Sequence, residues 1–388
     1  MAAPHIAIIG AGIGGLSAAL ALARAGFLPR VYEQAPQLGE VGAGLSLSPN
    51  AVKALRFLGL EAATQPLADE PPQQITRHYQ TGEVLVRIDR SDTTERYGAP
   101  YWQMHRADLH GLLAEALREL DPSSIVLGKQ FSALELDAGG SRVEFNDGSA
   151  IDAKVVIGAD GLKSQIRHQV FRQDDPVFSG FVALRGLIPA SALAGVELAP
   201  GSCVFAGPNR IFVRYPVRHG ALQNFVAFVR TEQWEAEGWS QTGDVAELKD
   251  HFSEFAPEVQ QLLAAVPGGR CHKWGLFARD PLPSWVRGRV TVLGDAAHPM
   301  MPWFGQGAAS AMEDGIVLAR AMSLAENYDE ALSRYEAARL ERVTLMHRES
   351  LLGGERLSGQ QTSALKDEPV RTEDSLGITE YDPATAPV

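Results

Sequence analysis

The stretch from Ile6 to Glu33, IAIIGAGIGGLSAALALARAGFLPRVYE, constrains the fold of this chain more than any other. Ile6-Ala7-Ile8-Ile9 is a short uninterrupted apolar run, the pattern of a strand buried on both faces. Gly10-Ala11-Gly12-Ile13-Gly14-Gly15 follows as a GxGxxG turn. Leu16 to Ala25 has the alanine and leucine content of a helix, and Gly26 stops it. A second strand, Val31-Tyr32-Glu33, ends on an acid. Strand, glycine turn, helix, strand and acid in this order predict a nucleotide-binding unit.

Each of these glycines has a steric purpose. Gly10 permits the tight turn, Gly12 lets the backbone approach a pyrophosphate, and Gly15 lets the helix pack close to the strand. The helix N-terminus offers unpaired N–H groups and a partial positive charge to phosphates. Glu33 can accept hydrogen bonds from ribose hydroxyls and would repel a 2′-phosphate. The expected ligand is a dinucleotide with an unphosphorylated ribose, FAD or NAD, and the motif alone does not choose between them.

A chain of 388 residues exceeds one ordinary core, so two domains are expected. A net charge of −12 argues against nucleic acid or an anionic membrane as partner. The two cysteines, Cys203 and Cys271, have neither metal nor redox spacing and read as reduced thiols. No apolar run is long enough to span a bilayer, which makes the cytoplasm the expected compartment.

Beyond Glu33, a glycine-bearing loop with Gly42 and Gly44 leads into a helix around Ala51 to Phe57. Gly44 there allows close approach to a bulky group or simply turns the chain. His105-Arg106-Ala107-Asp108-Leu109 opens a second helix. Arg106 stands at its start, either reaching a phosphate or facing solvent. A buried strand then delivers Gly158-Ala159-Asp160-Gly161, with Ser164 and Arg167 on a short helix after it. Residues 171–279 are rich in aromatic and β-branched segments, with tryptophans at 234, 239 and 274. This texture predicts an antiparallel sheet roofing a pocket. Arg289 to Asp295 returns to the buried-strand texture, and helices follow over 308–325 and 328–346. Ser358 to Val388 is polar and punctuated by Pro and Gly, and is expected to be poorly ordered.

Three stretches stand together: the Gly10–Gly15 loop with Glu33, then Gly158-Ala159-Asp160-Gly161-Leu162-Lys163-Ser164, then Gly294-Asp295-Ala296-Ala297-His298-Pro299. In this the chain resembles the single-component FAD-dependent aromatic hydroxylases, which have the para-hydroxybenzoate hydroxylase fold. Within them it is most similar to the branch of salicylate hydroxylase, 3-hydroxybenzoate 6-hydroxylase and 6-hydroxynicotinate 3-monooxygenase. The resemblance implies an α/β fold: a Rossmann-like FAD-binding domain of the GR2 type, an inserted, mostly antiparallel substrate domain, and C-terminal helices. It divides the chain into an FAD-binding domain over 1–75, 96–170 and 280–350, a substrate-binding domain over 76–95 and 171–279, and a tail over 351–388.

The resemblance also distributes roles. Gly10, Gly12, Gly15 and Glu33 hold the ADP half of FAD, Gly44 flanks the cofactor, and Arg106 meets its phosphates. Asp160 and Gly161 serve FAD and NAD(P)H docking. Asp295 takes the ribityl and pyrophosphate region, and Pro299 borders the flavin. Gly305-Gln306-Gly307 opens a helix at Ala308, whose N-terminus suits the negative charge of reduced flavin near N1 and C2=O. Since only one GxGxxG exists, NAD(P)H is expected to dock transiently.

The implied cycle is reduction of FAD by NAD(P)H, addition of O₂ at flavin C4a, and attack of the hydroperoxide on an activated aromatic or N-heteroaromatic acid or phenol. Salicylate-type decarboxylation is a variant of it. Tyr215 matches a substrate-orienting tyrosine, and Gln306 either bonds a substrate hydroxyl or shapes its loop. His298 belongs to the family motif as a structural or basic residue. Arg185 meets a substrate carboxylate, NAD(P)H or a surface acid, while Met300 and Trp303 supply apolar wall. Relatives carry a histidine base four residues before the tyrosine; here that position is Ile211, a departure from the histidine-base mechanism. Two other readings share these motifs: an FAD-dependent hydroxylase or epoxidase of a non-aromatic or bicyclic substrate, and a non-catalytic flavin-binding regulator. The expected state is a monomer or homodimer acting on a small molecule and O₂.

Overall fold

The strand Ile6–Ile9 lies inside a six-stranded sheet, in a computed structural model that describes residues 6–39, 43–137, 139–232, 234, 241–367 and 371–388. Gly42 and Trp239 lie outside the described residues. Parallel pairing joins Ile6–Ile9 to Pro29–Glu33 on one side and to Val155–Gly158 on the other. The sheet continues in parallel to Ile125–Leu127 and to Val290–Val292. Every residue of the Ile6–Ile9 and Val155–Gly158 strands is buried, as the unbroken apolar runs require. The three motif turns therefore leave neighbouring parallel strands at the same end of one sheet, where α/β folds bind ligands.

The helix Ile13–Arg24 follows the first turn, and the helix Gly307–Leu324 lies against it. A Cβ on Gly14 would come within 3.1 Å of Ala311 Cβ, and a Cβ on Gly315 would come within 2.6 Å of the Ala18 nitrogen. Residues 14 and 18 thus meet 311 and 315 in the same order. The two helices run side by side in the same direction, with their N-termini together.

The second layer is an eight-stranded, mostly antiparallel sheet. Its order is Gln241–Asp244, Arg270–Ala278, Val177–Pro189, Leu222–Arg230, Arg210–Val217, Ser202–Gly207, Gln73–His78 and Val84–Asp89. Alternation along Arg210–Val217 sends Phe212 into an aromatic core with Phe225 and Phe252, while Ile211, Val213 and Tyr215 face the cavity between the layers. The crossover into this sheet comes at Gln73, before the expected boundary at 76. The last long helix, Tyr328–Leu357, extends past both 346 and 350.

The expectation of a poorly ordered segment over 358–388 is corrected. Lys53, only 9% exposed, donates to the Thr379 and Glu380 carbonyls at 3.3 and 3.0 Å. Arg320 donates to the Pro383 and Ala386 carbonyls. Arg342 donates to the Ile378 carbonyl and lies 3.9 Å over the Tyr381 ring. Half-buried cations of the body need acceptors, and this segment supplies them. Polar composition describes the segment's own propensity and is blind to that demand.

Candidate active site

A cavity of about 590 Å³ lies between the motif turns of the first sheet and the inner face of the second. The Gly10–Gly15 turn forms its nucleotide end. Gly10 has φ +107°, and a Cβ there would meet the Ala159 carbonyl oxygen at 2.4 Å. A Cβ on Gly15 would meet the Gly10 carbonyl oxygen at 2.0 Å. Gly12 differs: its φ is −72°, it lines the cavity, and a Cβ would meet no protein atom within 4 Å. Gly10 and Gly15 are glycines because the protein crowds them. Gly12 faces open space that a ligand can enter.

Both helix N-termini at this cavity are open. Neither Gly12 nor Gln306 caps its helix with a side-chain hydrogen bond, and neither first turn carries an acid. Unpaired N–H groups from two parallel helices, with Arg106 also lining the cavity, form a cradle for an extended anionic group. Glu33 sits behind this cradle, outside the cavity lining. Its carboxylate accepts from the backbone N–H of Ala11 at 2.8 Å and of Ala35 at 2.9 Å, fixing the glycine turn. The cradle fits the two phosphates of FAD.

The second motif divides its labour. Gly161 lines the cavity, with φ +74°. Asp160 does not line it: its carboxylate accepts from Ser164 Oγ at 2.5 Å and from the backbone N–H groups of Gln165 and Ile166. Asp160 thus shapes the turn that presents Gly161. Arg167, fully buried, braces this corner by donating to Asp174 and to the Ala297 and Asp280 carbonyls.

The third motif lines the cavity beside the Gly307 helix terminus. Asp295, Pro299, Met300, Gly305, Gly307 and Ala308 all line the cavity. Burial pushes the Asp295 carboxyl up, opposed by the charges of His298 and Arg106. His298 and Gln306, both expected in catalytic roles, are directed elsewhere. His298 is 2% exposed, outside the lining, with Nε2 2.6 Å from Asp314 Oδ2. Asp314 also accepts from the Gly294 N–H and Arg339 Nε. Burial works to raise the Asp314 carboxyl, and the neighbouring His298 and Arg339 charges overcome it and hold it at about 2. Buried outside the lining, His298 ties the Gly294–Pro299 loop to Asp314 and does not face the cavity. Gln306 donates from Nε2 to Ser48 Oγ at 2.8 Å and accepts from Asn50 Nδ2 at 3.1 Å. It shapes its loop, the other of its two expected roles.

The opposite wall of the cavity is formed by the second sheet. Tyr215 lines the cavity against Gly44, where a Cβ would come within 2.4 Å of the ring. Gly44 donates its N–H to Asn224 Oδ1 at 2.8 Å, and Asn224 pairs with Tyr215 in the sheet register. The loop carrying Gly44 is thereby tied to the sheet strand opposite. Arg185 lines the cavity with its guanidinium 4.5 Å from the Trp274 ring. Trp303 lines it too, packed on Phe181 and Phe228 at centroid distances of 5.3 and 4.7 Å. Ile211 is fully buried in the same wall and offers no base.

Sequence reasoning overlooked Tyr101, Asn224 and Glu373. Tyr101 lines the cavity, hydrogen-bonded to Ser46. Burial pushes its phenol up to about 12, with the Glu373 charge adding and Arg90 opposing. Burial likewise raises the Tyr215 phenol, with Tyr101 adding to the shift. Both tyrosines remain neutral hydroxyl donors at any ordinary pH. No local motif marks these three residues, because their roles come from elements far apart in the chain.

Comparison with known proteins places the chain in a family. The family model described as FAD binding domain matches residues 4–350. The chain is 39% identical over 351 residues to 6-hydroxynicotinate 3-monooxygenase of Pseudomonas fluorescens, covering 89% of this chain and 90% of that enzyme. It is 39% identical over 349 residues to a 3-amino-4-hydroxybenzoate 2-monooxygenase of Streptomyces platensis, covering 89% and 87%. The crystal structure of Klebsiella pneumoniae HpxO complexed with FAD and uric acid superimposes with a TM-score of 0.85 at 30% identity, covering 98% of this chain and 97% of that one.

Proposed function

The chain belongs to the FAD-binding-domain family of flavoprotein monooxygenases, and from that premise we propose that it hydroxylates a small aromatic or N-heteroaromatic acid or phenol, using NAD(P)H and O₂. One observation carries the reading. One cavity joins a two-helix cradle for FAD to a largely apolar and aromatic wall that includes Tyr215, Tyr101, Ile211 and Trp303. The named relatives act on hydroxylated or aminated benzoates and pyridines, and their cover of this chain supports the same substrate class.

Gly12, Arg106, Gly161, Asp295 and the Gly307 helix terminus would hold FAD. Bound FAD supplies the activation of O₂, which no side chain can perform. The remaining work falls to the protein. Open N–H groups at Gly307 and Ala308 stabilise negative charge at the adjacent end of the cavity. Trp303, Met301, Ile211 and Phe228 keep water from the ring, so that activated oxygen is not lost as H₂O₂. Tyr215 and Tyr101 present neutral O–H groups that orient a ring through its oxygen or nitrogen substituents. Arg185 offers a cation to a ring carboxylate or to the nicotinamide cofactor.

The test is a panel of benzoates, phenols and hydroxypyridines, scored for acceleration of NAD(P)H oxidation by the FAD-bound protein. At least one ring compound is expected to accelerate it and to yield a hydroxylated product. If every ring compound is inert while the protein holds FAD, the aromatic assignment is wrong, and the epoxidase and regulator readings take its place.

A further inference from the structure

The C-terminal segment brings a carboxylate into the cavity. The family model ends at residue 350, yet Glu373 is among the cavity-lining residues. Glu373 is 6% exposed, and its Oε1 accepts from Arg90 Nη2 at 2.8 Å. Arg90 is itself 2% exposed, pairs with Asp374 at 3.2 Å, and lies 4.4 Å from the centroid of the Tyr101 ring. One guanidinium between two carboxylates leaves the cluster with a formal charge of −1. Burial pushes the Glu373 carboxyl up and the Arg90 charge opposes it; a carboxylate held there attracts an O–H or N–H donor. Ile211, in the same cavity, provides no acceptor.

Resting on the hydroxylase reading, we infer that Glu373 is a substrate-contacting residue. Its carboxylate accepts a hydrogen bond from the hydroxyl or amino group of the ring, and so selects donor-bearing rings and sets their orientation. Arg90 is a positioning residue: it holds one carboxylate oxygen and so fixes the rotamer. A ring with a methoxy group at that place would bury the carboxylate without a donor, which is costly in a closed site. The carboxylate comes from a segment beyond the residues that the family model matches.

The probes are the hydroxylated ring compound that most accelerates NAD(P)H oxidation and its O-methyl ether. Each is titrated into the FAD-bound full-length chain and followed by flavin absorbance. The wild type is expected to prefer the hydroxyl compound. Glu373→Gln, which keeps volume and an oxygen for Arg90, is expected to reduce that preference by roughly 10- to 100-fold with FAD content unchanged. Asp374→Asn removes the other carboxylate partner of Arg90 and is expected to keep the preference. Should Glu373→Gln not fold, Glu373→Asp carries the test, with weakened hydroxyl binding and unchanged ether binding expected. A preference retained within twofold in the glutamine variant, or unchanged hydroxyl binding in the aspartate variant, overturns the inference alone. Failure of every ring compound to bind the wild type overturns the hydroxylase reading, and this inference with it.

Discussion

Substituting alanine separately for Gly10 and Gly12 should produce opposite phenotypes, because the protein crowds one and leaves the other open. At Gly10 the backbone has φ +107°, and the new methyl would lie 2.4 Å from the Ala159 carbonyl oxygen. The left-handed conformation costs about 1–2 kcal/mol for an L-residue. Relieving the overlap by shifting backbone costs a further ~1–3 kcal/mol. FAD-free Gly10→Ala should therefore be less stable than FAD-free wild type by roughly 2–5 kcal/mol. At Gly12 the φ of −72° suits alanine, and its methyl meets nothing within 4 Å. Lower unfolded-state entropy stabilises by about 0.4–1 kcal/mol, and loss of the glycine N-cap offsets a similar amount. FAD-free Gly12→Ala should match FAD-free wild type within about 0.5 kcal/mol. Its cost should appear only on FAD binding, where the methyl occupies the face offered to the pyrophosphate. Each tenfold loss of affinity removes about 1.4 kcal/mol of FAD-dependent stabilisation, and at least one such factor is expected. Denaturant melts with and without added FAD, beside FAD titrations, measure both quantities. A Gly12→Ala protein that binds FAD as tightly as wild type would refute the assignment of that face to the cofactor.

Four further outcomes follow from the site. Asp314→Asn removes the carboxylate that buried Arg339 and His298 share, leaving Glu313 on Arg339, and should destabilise by about 1.5–3 kcal/mol in a thermal or denaturant melt. Because the Asp314 carboxyl is held at about 2, below its unfolded value, its contribution is present at neutral pH and should fade as pH falls from near 4 towards 2. Gln306→Ala removes one hydrogen bond each from Ser48 and Asn50, which keep each other and Glu313, and should cost about 0.5–1.5 kcal/mol per bond while leaving the ratio of affinities between ring compounds unchanged; a large change in that ratio would return Gln306 to the substrate. Tyr215→Phe should lower the fraction of NAD(P)H oxidation that yields hydroxylated product, with FAD content intact; unaltered coupling would remove Tyr215 from the orienting role.

What the sequence made legible was local. The glycine turn, the strand before it and the acid after it are consecutive in the chain, so their chemistry can be read without knowing the fold. The same holds for the Gly158–Ser164 and Gly294–Pro299 turns, whose parallel strands bring them to one end of one sheet. Side-chain direction within a motif was less accessible. Asp160, His298 and Gln306 sit in the expected turns but point inward, because buried N–H groups, Asp314, Ser48 and Asn50 require them there. Those partners are brought in from other elements of the fold. Tyr101, Asn224 and Glu373 were unreadable for the same reason: a residue of the 371–388 segment meets the cavity only because Arg90 draws it in. The polar 358–388 composition suggested disorder, whereas buried cations elsewhere in the chain give that segment its place.

The most direct test is oxygen transfer itself. The FAD-bound chain would be supplied with NAD(P)H, ¹⁸O₂ and the ring compound that most accelerates NAD(P)H oxidation, and the product's mass recorded. The expected result is one ¹⁸O atom in the new ring hydroxyl, with the second oxygen leaving as water. A hydroxylated product carrying no label, or oxidation that yields only H₂O₂ with every ring compound, would contradict the assignment of this chain as an aromatic hydroxylase.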